Sequence, residues 1–180
     1  ESNQITEYLQ EANSSIFQDS KFEYVIEKSR LGTGGAVANA VKEINFKGNF
    51  FLINSDTWIG ASLDNFSEAE APCLGAIHQE NTDRYGRVEL SPSNKVISFQ
   101  EKTLSNNSGF INSGLYLLNS ESFKDWDGKP CSLENIYITN FAKKGVLTGI
   151  NLSASFIDIG IPSDYEHFKR NFKKIINEFI

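Results

Sequence analysis

Leu31-Gly32-Thr33-Gly34-Gly35 is the stretch that decides the fold of this chain. An apolar run at residues 22–26 precedes it, and residues 36–44 follow it with the composition of a helix. A second apolar run, residues 50–53, ends in Asn54-Ser55-Asp56-Thr57. Strand, loop, helix and strand in this order predict a βαβ unit, because short continuous apolar runs are typical of parallel strands buried on both faces.

The glycine stretch and Asp56 together favour a nucleotide-like ligand. Gly32, Gly34 and Gly35 permit positive φ and close approach of the backbone, and the amides at a helix start favour an anion. Asp56 follows its strand at the carboxyl end, where open α/β sheets bind ligands. Two structural interpretations stay open: the glycines can form a plain tight turn, and Asp56 can cap a helix.

The dinucleotide-binding fingerprint is a competing interpretation of the same glycines. Its third glycine would fall at Val37, and four polar residues separate the apolar run from Gly32. The true fingerprint turns directly off its strand, so the pattern here disfavours a dinucleotide site.

Composition limits the remaining classes. The 180 residues suit one domain with a real core, and the net charge of −6 argues against a nucleic-acid surface. No apolar run reaches membrane-spanning length. Cys73 and Cys131 lack metal-ligand spacing and are typical of reduced thiols in a cytoplasmic protein. The sequence contains no methionine, which indicates that an N-terminal portion is missing.

Periodicity predicts the elements outside the glycine unit. Residues 87–90 and 95–101 are expected to form an antiparallel hairpin, and residues 110–118 a strand. Ser132 is expected to cap a helix ending near Lys143. Further predictions are a helix at 3–17, strands at 73–77, 147–150 and 156–159, and a last helix from Pro162 with Tyr165, Phe168 and Phe172 on its buried stripe.

Three more places could carry chemistry. Glu101-Lys102 puts an acid and a base at the end of a hairpin strand, although a surface charge pair is the simpler interpretation. Asn112-Ser113-Gly114 interrupts an apolar run with small polar groups, which suits a ligand or a bulge. Asp158 lies in an apolar strand and needs a partner there, either a cation or a backbone or cap contact.

Six motifs follow one another along the chain: Leu31-Gly32-Thr33-Gly34-Gly35-Ala36, Asn54-Ser55-Asp56-Thr57, Asp83-Arg84-Tyr85-Gly86, Phe99-Gln100-Glu101-Lys102, Ile111-Asn112-Ser113-Gly114-Leu115-Tyr116 and Phe156-Ile157-Asp158-Ile159-Gly160. In this order they resemble the motifs of the sugar-1-phosphate nucleotidylyltransferases. The resemblance is greatest to the D-glycero-D-manno-heptose 1-phosphate guanylyltransferases, with the mannose-1-phosphate guanylyltransferases next. It covers essentially all 180 residues.

The resemblance implies an α/β fold: a Rossmann-like, GT-A-like mixed sheet flanked by helices, in one nucleotidyltransferase domain over residues 1–180 without its first strands. It also implies the reaction, in which GMP passes from GTP to a heptose- or mannose-type sugar 1-phosphate and pyrophosphate leaves. Such in-line transfer needs positioning and charge neutralisation more than covalent help. The implied partners are therefore the nucleoside triphosphate and the sugar phosphate.

The same resemblance implies roles for the motif residues. Leu31, Gly32, Thr33, Gly34 and Gly35 would hold the base. Asp56 and Asp158 would bind the catalytic Mg²⁺, which prefers oxygen ligands and needs only one or two carboxylates. These two aspartates are therefore expected to face one cleft.

The remaining implied roles concern the sugar phosphate. Lys102 would neutralise its phosphate, and Glu101 would bind sugar hydroxyls. Gly86 and Asn112 would line the sugar pocket.

Two departures from the family leave other functions open. Ser55 replaces a usual glycine, and the family's first strand and its main triphosphate-binding loop are absent from this sequence. The piece alone is therefore expected to be catalytically silent and to form a homo-oligomer, or to be completed by another chain, through an open sheet edge. A non-catalytic sugar-nucleotide-binding or regulatory module is the main alternative. A glycosyltransferase is another, but Asp56-Thr57-Trp58 lacks the second acid of an Asp-x-Asp pair.

Overall fold

The computed structural model describes residues 2–15, 23–100 and 107–177. The helices are α1 (Ser2–Ser15), α2 (Gly32–Glu43), α3 (Thr139–Lys143) and α4 (Pro162–Asn177), with 3-10 turns at Leu63–Phe66 and Ser120–Phe123 and a π-helical turn at Leu133–Ile138. The strands are β1 (Asn49–Ile53), β2 (Thr57–Ile59), β3 (Cys73–Gln79), β4 (Arg87–Leu90), β5 (Val96–Gln100), β6 (Gly109–Asn119), β7 (Thr148–Asn151) and β8 (Phe156–Asp158).

The main sheet is organised around β6, which has 11 residues. The strand order is β5-β4-β6-β3-β7, and β1 also pairs with β6. Strand β3 pairs parallel with β7, while β6 pairs antiparallel with β1, β3 and β4. The described sheet is therefore mixed, as expected.

Alternate residues of β6 enter two separate hydrophobic clusters, because successive side chains in a strand point to opposite faces. Tyr116 and Leu118 belong to the cluster that packs with α2 and the π-helical turn. Ile111, Leu115 and Leu117 belong to the cluster that packs with the first 3-10 turn. The sheet is thus covered on both faces.

A second, two-stranded sheet has no hydrogen-bonded strand in common with the main one. Its strands β2 and β8 pair antiparallel, with Thr57 opposite Asp158 and Ile59 opposite Phe156. This β2–β8 ribbon joins two segments that are about a hundred residues apart in the sequence, and it brings the ends of both to one place.

The predicted hairpin is confirmed, with its turn chemistry. Strands β4 and β5 pair antiparallel. Between them the Ser91 amide donates to the Lys95 carbonyl at 2.8 Å, and Asn94 takes a φ of 59°. Asparagine tolerates this left-handed conformation better than most residues, which is why the chain can reverse here.

The helix predicted after Ser132 is also confirmed, although its first part is a π-helical turn rather than an α-helix. The Ser132 hydroxyl accepts a hydrogen bond from the Asn135 amide at 3.1 Å and so caps the turn. The last helix begins at Pro162 as predicted. Its apolar stripe is only partly buried, because the side chains of Tyr165 and Phe172 stay 46% and 44% exposed.

The predicted βαβ unit is wrong. The described part of the first apolar run, residues 23–26, is irregular, and Tyr24 and Ile26 are exposed. A strand needs a neighbour for its backbone hydrogen bonds, and none of the described strands pairs with this run. Moreover, β1 pairs with β6 antiparallel, and α2 begins at Gly32 rather than at Ala36.

None of the helices in the described part of the chain is long and apolar enough to span a bilayer.

Candidate active site

A cavity of about 380 Å³ opens where the β2–β8 ribbon meets the main sheet, within the size range of small-molecule sites. Five residues that the resemblance singled out line it: Thr33, Asp56, Gly86, Asn112 and Asp158. Polar groups from distant parts of the chain therefore converge on one cavity, which makes it the candidate active site.

The ribbon brings Asp56 and Asp158 together. Asp158 ends β8 opposite Thr57, and the Ile159 amide donates to the Asp56 carbonyl at 2.8 Å. A Cβ added at Gly160 would lie 2.9 Å from Asp56 Oδ2 and 3.0 Å from Asp158 Oδ1. The two carboxylates thus approach one point, and only a glycine leaves that point open.

These donors fit a hard divalent cation. Mg²⁺ takes oxygen ligands and is commonly held by one or two carboxylates, with waters and substrate phosphates completing its octahedron. Asp56 and Asp158 supply two carboxylates, and the space above Gly160 would otherwise be filled by a Cβ. Within the described residues no group of three or more acidic, histidine or cysteine side chains could hold a metal.

Changing Gly160 to alanine is expected to weaken Mn²⁺ binding roughly tenfold, because the added methyl would push the carboxylates out of the geometry that an octahedral ion demands. The melting temperature should move little, since the atoms that must shift are the ends of two aspartate side chains. Mn²⁺ titration followed by EPR checks the affinity.

Gly109→Ala is the matched control, because its Cβ would meet only Arg87 Nη2, at an ordinary 3.5 Å. Unchanged Mn²⁺ affinity in Gly160→Ala would place the cation elsewhere.

Gly86 and Asn112 form one wall of the cavity. The Asn112 amide donates to the Gly86 carbonyl at 2.8 Å, which ties β6 to the turn before β4. The Asn112 side chain donates to the Tyr116 hydroxyl at 2.6 Å and accepts from the Gly114 amide at 3.2 Å. The side chain is therefore held in one orientation beside the cavity.

The expected irregularity at Asn112-Ser113-Gly114 is present. The register between β3 and β6 shifts at this point, and Gly114 takes a φ of 76°. A Cβ on Gly114 would lie 2.5 Å from the Asn54 side chain, which itself lines the cavity. The small residues thus allow β6 to bend past the segment that carries Asp56.

Aromatic side chains form the apolar part of the lining: Tyr85, Phe99 and Phe156. The rings of Tyr85 and Phe156 meet edge to face, with centroids 5.3 Å apart. Burial raises the pKa of the Tyr85 phenol, so its hydroxyl stays neutral at physiological pH. A sugar ring could pack against such a surface.

The glycine stretch has a different structural role from the one expected. The amides of Gly34 and Gly35 donate to the Cys131 carbonyl at 2.9 and 3.2 Å, so they are not open to an anion. Gly32 takes a φ of 70°, and its Cβ would lie 2.6 Å from that same carbonyl. The glycines let the start of α2 pack against the backbone at Cys131.

Of the five residues expected to hold the base, Thr33 lines the cavity. Leu31 lines a different cavity, beside Tyr24 and Trp126. Nucleotide binding by the whole stretch from Leu31 to Gly35 therefore stays a prediction. Glu101 and Lys102, expected to bind the sugar phosphate, lie outside the described residues.

Glu134 is a cavity residue that the sequence reasoning missed. Its Oε2 accepts hydrogen bonds from the hydroxyls of Thr33, at 2.9 Å, and Ser132, at 3.0 Å. The Thr33 hydroxyl in turn accepts from the Leu133 amide at 2.8 Å. Glu134 lies in the π-helical turn, and such turns are frequent at functional sites. The turn indicates a functional role for Glu134, but it can be recognised only in the structure.

Arg84 is the second cavity residue that was missed, although its motif had been singled out. Its Nη2 lies 2.8 Å from Asp158 Oδ2, and its Nη1 lies 2.7 Å from Asp164 Oδ2. The hydrogen bond to Asp164 raises the pKa of the guanidinium above its ordinary value. The available signal was a basic residue two positions before Gly86, a residue expected to line the sugar pocket.

Comparison with known proteins identifies the family to which this chain is similar. The nucleotidyl transferase family model matches residues 2–174. A D-glycero-alpha-D-manno-heptose 1-phosphate guanylyltransferase of Campylobacter jejuni is 35% identical over 92% of this chain and 74% of its own length. The bifunctional protein GlmU of Methanococcus maripaludis is 32% identical over 97% of this chain, which spans 44% of that protein.

Solved structures agree with this match. HddC from Yersinia pseudotuberculosis, complexed with GMP-PN, superposes with a TM-score of 0.76 at 31% identity, over 93% of this chain and 74% of that one. A putative glucose-1-phosphate thymidylyltransferase from Bacillus anthracis, at 20% identity and a TM-score of 0.73, shares the fold. On its fold, its sequence and the extent of the family match, this chain belongs to the nucleotidyl transferase family.

Proposed function

We propose that this protein transfers GMP from GTP to a heptose- or mannose-type sugar 1-phosphate and releases pyrophosphate. The observation that carries the proposal is the convergence of Asp56 and Asp158 beside Gly160, in a cavity that Gly86 and Asn112 also line. With a cation bound, the acid pair suits the phosphate end of a ligand, and the neutral polar residues suit its hydroxyls.

The proposed reaction is a single displacement at phosphorus. A phosphate oxygen of the sugar 1-phosphate forms a bond to the α-phosphorus of GTP, while the bond from that phosphorus to the pyrophosphate oxygen breaks. The substrate is its own nucleophile, so the site needs no serine or cysteine nucleophile. The residues of this chain have to align the two substrates and balance their negative charge.

Asp56 and Asp158 are the residues proposed to hold Mg²⁺. When bound, the ion would supply positive charge to the phosphate oxygens during transfer. Lys102 is proposed to add a second positive charge on the sugar phosphate, and Glu101 to accept hydrogen bonds from sugar hydroxyls. The two carboxylates of the pair can share one ion because the ribbon fixes the ends of β2 and β8 side by side.

The choice of base and sugar rests on the relatives. The Campylobacter jejuni relative is named for heptose 1-phosphate guanylyl transfer, and the Yersinia pseudotuberculosis structure is titled as a complex with GMP-PN. Guanine is therefore the proposed base, bound by residues 31–35 with Thr33 nearest the cavity. A mannose-1-phosphate guanyltransferase from Aspergillus oryzae at 25% identity supports mannose as the second sugar to test.

Pyrophosphate release tests the proposal. The protein, expressed from its full native reading frame, is assayed with each of GTP, ATP, UTP and CTP against heptose, mannose, glucose and N-acetylglucosamine 1-phosphates. The expected result is turnover with GTP and heptose or mannose 1-phosphate, at least tenfold above the other pairs. Asp158→Asn serves as the inactive control.

Thermal shift separates binding from turnover. A ligand at a hundred times its Kd stabilises the folded state by about 2.7 kcal/mol, so GTP or a GDP-sugar should raise the melting temperature measurably. Stabilisation by a GDP-sugar without any pyrophosphate release would instead identify a binding or regulatory module. We place this chemistry in the cytoplasm, where the free thiols of Cys73 and Cys131 are stable.

A further inference from the structure

Arg84 connects two acids that belong to different elements. Its Nη2 lies 2.8 Å from Oδ2 of Asp158, at the end of β8, and its Nη1 lies 2.7 Å from Oδ2 of Asp164, in the first turn of α4. Arg84 and Asp158 both line the candidate active site. One of the two acids proposed to bind a cation is therefore already paired with a cation of the chain itself.

The carboxylate of Asp158 has both oxygens engaged. Its Oδ1 accepts from the Gly160 amide at 3.0 Å, and its Oδ2 faces Arg84. Each oxygen keeps a lone pair for a metal ion, but an ion bound there draws on the same negative charge and so weakens the hold of both donors. The amide belongs to the backbone directly after β8, whereas the arginine is long and 41% exposed. The guanidinium is therefore the donor that can leave.

Charge leads to the same conclusion. A divalent cation between Asp56 and Asp158 would lie a few ångströms from the guanidinium, and like charges at that distance repel. The described side chains thus place a positive group where a second positive charge is proposed to bind. The two cations would compete for the negative charge of one carboxylate, the ion on the side of Asp158 Oδ1 that faces Asp56 and the guanidinium at Oδ2.

Asp164 determines where Arg84 goes when it leaves. Asp164 contacts the other terminal nitrogen, so breaking the Asp158 contact leaves the guanidinium anchored to α4. The Tyr85 ring lies 5.5 Å from the guanidinium carbon and limits its movement. The freed Nη2 would then face the cavity with hydrogen-bond donors, a geometry that suits a phosphate oxygen.

We infer that Arg84 is an exchangeable counter-ion: it neutralises Asp158 in the empty site, yields that carboxylate to the metal, and pivots on Asp164 to bind the phosphate of the sugar 1-phosphate. The inference rests on the proposed function for the identity of both ligands. It makes Arg84 a competitor of the metal and a ligand of the substrate.

The first measurement is Mn²⁺ affinity in the absence of nucleotide, from the EPR signal of free Mn²⁺. Arg84→Gln removes the competing charge and is expected to bind Mn²⁺ about fivefold more tightly, the effect of losing one partly exposed ion pair. Lys124→Gln is the matched control: it also removes the cation of an ion pair, the one with Glu121, away from the cavity, and should leave the affinity unchanged.

The second measurement is the affinity for mannose 1-phosphate at saturating Mn²⁺, by calorimetry. Arg84→Gln is expected to weaken it about tenfold, because a charge-assisted contact to phosphate is lost. The two effects have opposite signs. A purely structural ion pair would instead weaken both affinities, or neither, and either result would overturn the inference.

Asp158→Asn separates this inference from the proposed function. If Asp158→Asn loses Mn²⁺ binding while Arg84→Gln fails to raise it, the metal site stands and the exchange role of Arg84 is wrong. If the wild-type protein binds no Mn²⁺, or Asp158→Asn binds it normally, the proposed metal site is wrong and the exchange role is wrong with it.

Discussion

Replacing Asp56 with asparagine is expected to lower kcat about a thousandfold, equivalent to roughly 4 kcal/mol of transition-state stabilisation. Affinity for GTP should change only a few-fold. The carboxylate would act through the metal on charge that develops during transfer, so its loss affects the transition state more than the ground state. Pre-steady-state pyrophosphate release gives the rate, and thermal shift or calorimetry gives the nucleotide affinity.

Asp125→Asn is the matched control, because Asp125 is an exposed aspartate outside the cavity lining. It should retain wild-type values for both quantities. A loss of tenfold or less in Asp56→Asn, with an equal loss of GTP affinity, would mean that the acid contributes only to binding. The case for a sugar-nucleotide-binding module would then become the stronger one.

The second large effect concerns stability. Gly32→Ala is expected to lower the free energy of unfolding by about 3 kcal/mol, of which about 1 kcal/mol comes from the left-handed backbone and the rest from the clash with packed backbone. Gly32 takes a φ of 70°, and its Cβ would lie 2.6 Å from the Cys131 carbonyl oxygen. Urea denaturation measures the difference.

Gly145→Ala separates the two contributions. Gly145 takes nearly the same φ, 69°, but an added Cβ would meet nothing within 4 Å. It should therefore lose only the conformational part, about 1 kcal/mol. Equal losses at Gly32 and Gly145 would show that the contact with Cys131 does not limit the stability of the fold.

Elements with a clear local pattern could be predicted from the sequence. The hairpin of β4 and β5 follows from alternation and a Ser-Pro-Ser-Asn turn, and the start of α4 follows from Pro162. The strand predicted at 110–118 is β6, because its apolar run is long and uninterrupted except at the bulge. In each case the information lies within about ten residues of the element.

The contacts of the glycine stretch could not be predicted from the local sequence. Its interpretation as a ligand loop relied on amides that would be free at a helix start. In the structure, those of Gly34 and Gly35 are taken by the carbonyl of Cys131, about a hundred residues away. A long-range backbone contact of this kind leaves no periodic signal. The apolar run at 22–26 was predicted to be a strand from local pattern alone, but a strand depends on a partner strand that the run itself does not contain, and its described residues 23–26 are irregular.

Several residues of the candidate site could be predicted from the sequence, but the contacts between them could not. The resemblance singled out Asp56, Gly86, Asn112 and Asp158, and all four line one cavity. The pairing of Arg84 with two acids could not be foreseen, because it depends on how α4 packs beside β8. Charge pairs formed across elements need the fold before they can be assigned.

The separate β2–β8 ribbon has a consequence for how such a site can diversify. The spacing of Asp56 and Asp158 is set inside the ribbon, by its own pairing and by the contact of Ile159 with Asp56. The distance from Asp56 and Asp158 to Asn112 depends instead on how the ribbon packs against β6 of the main sheet, a contact that we call the seam between the two sheets. Mutations along that seam could therefore retune which sugar fits while the acid pair keeps its geometry. The choice of sugar and the catalytic geometry would then be able to change independently in evolution.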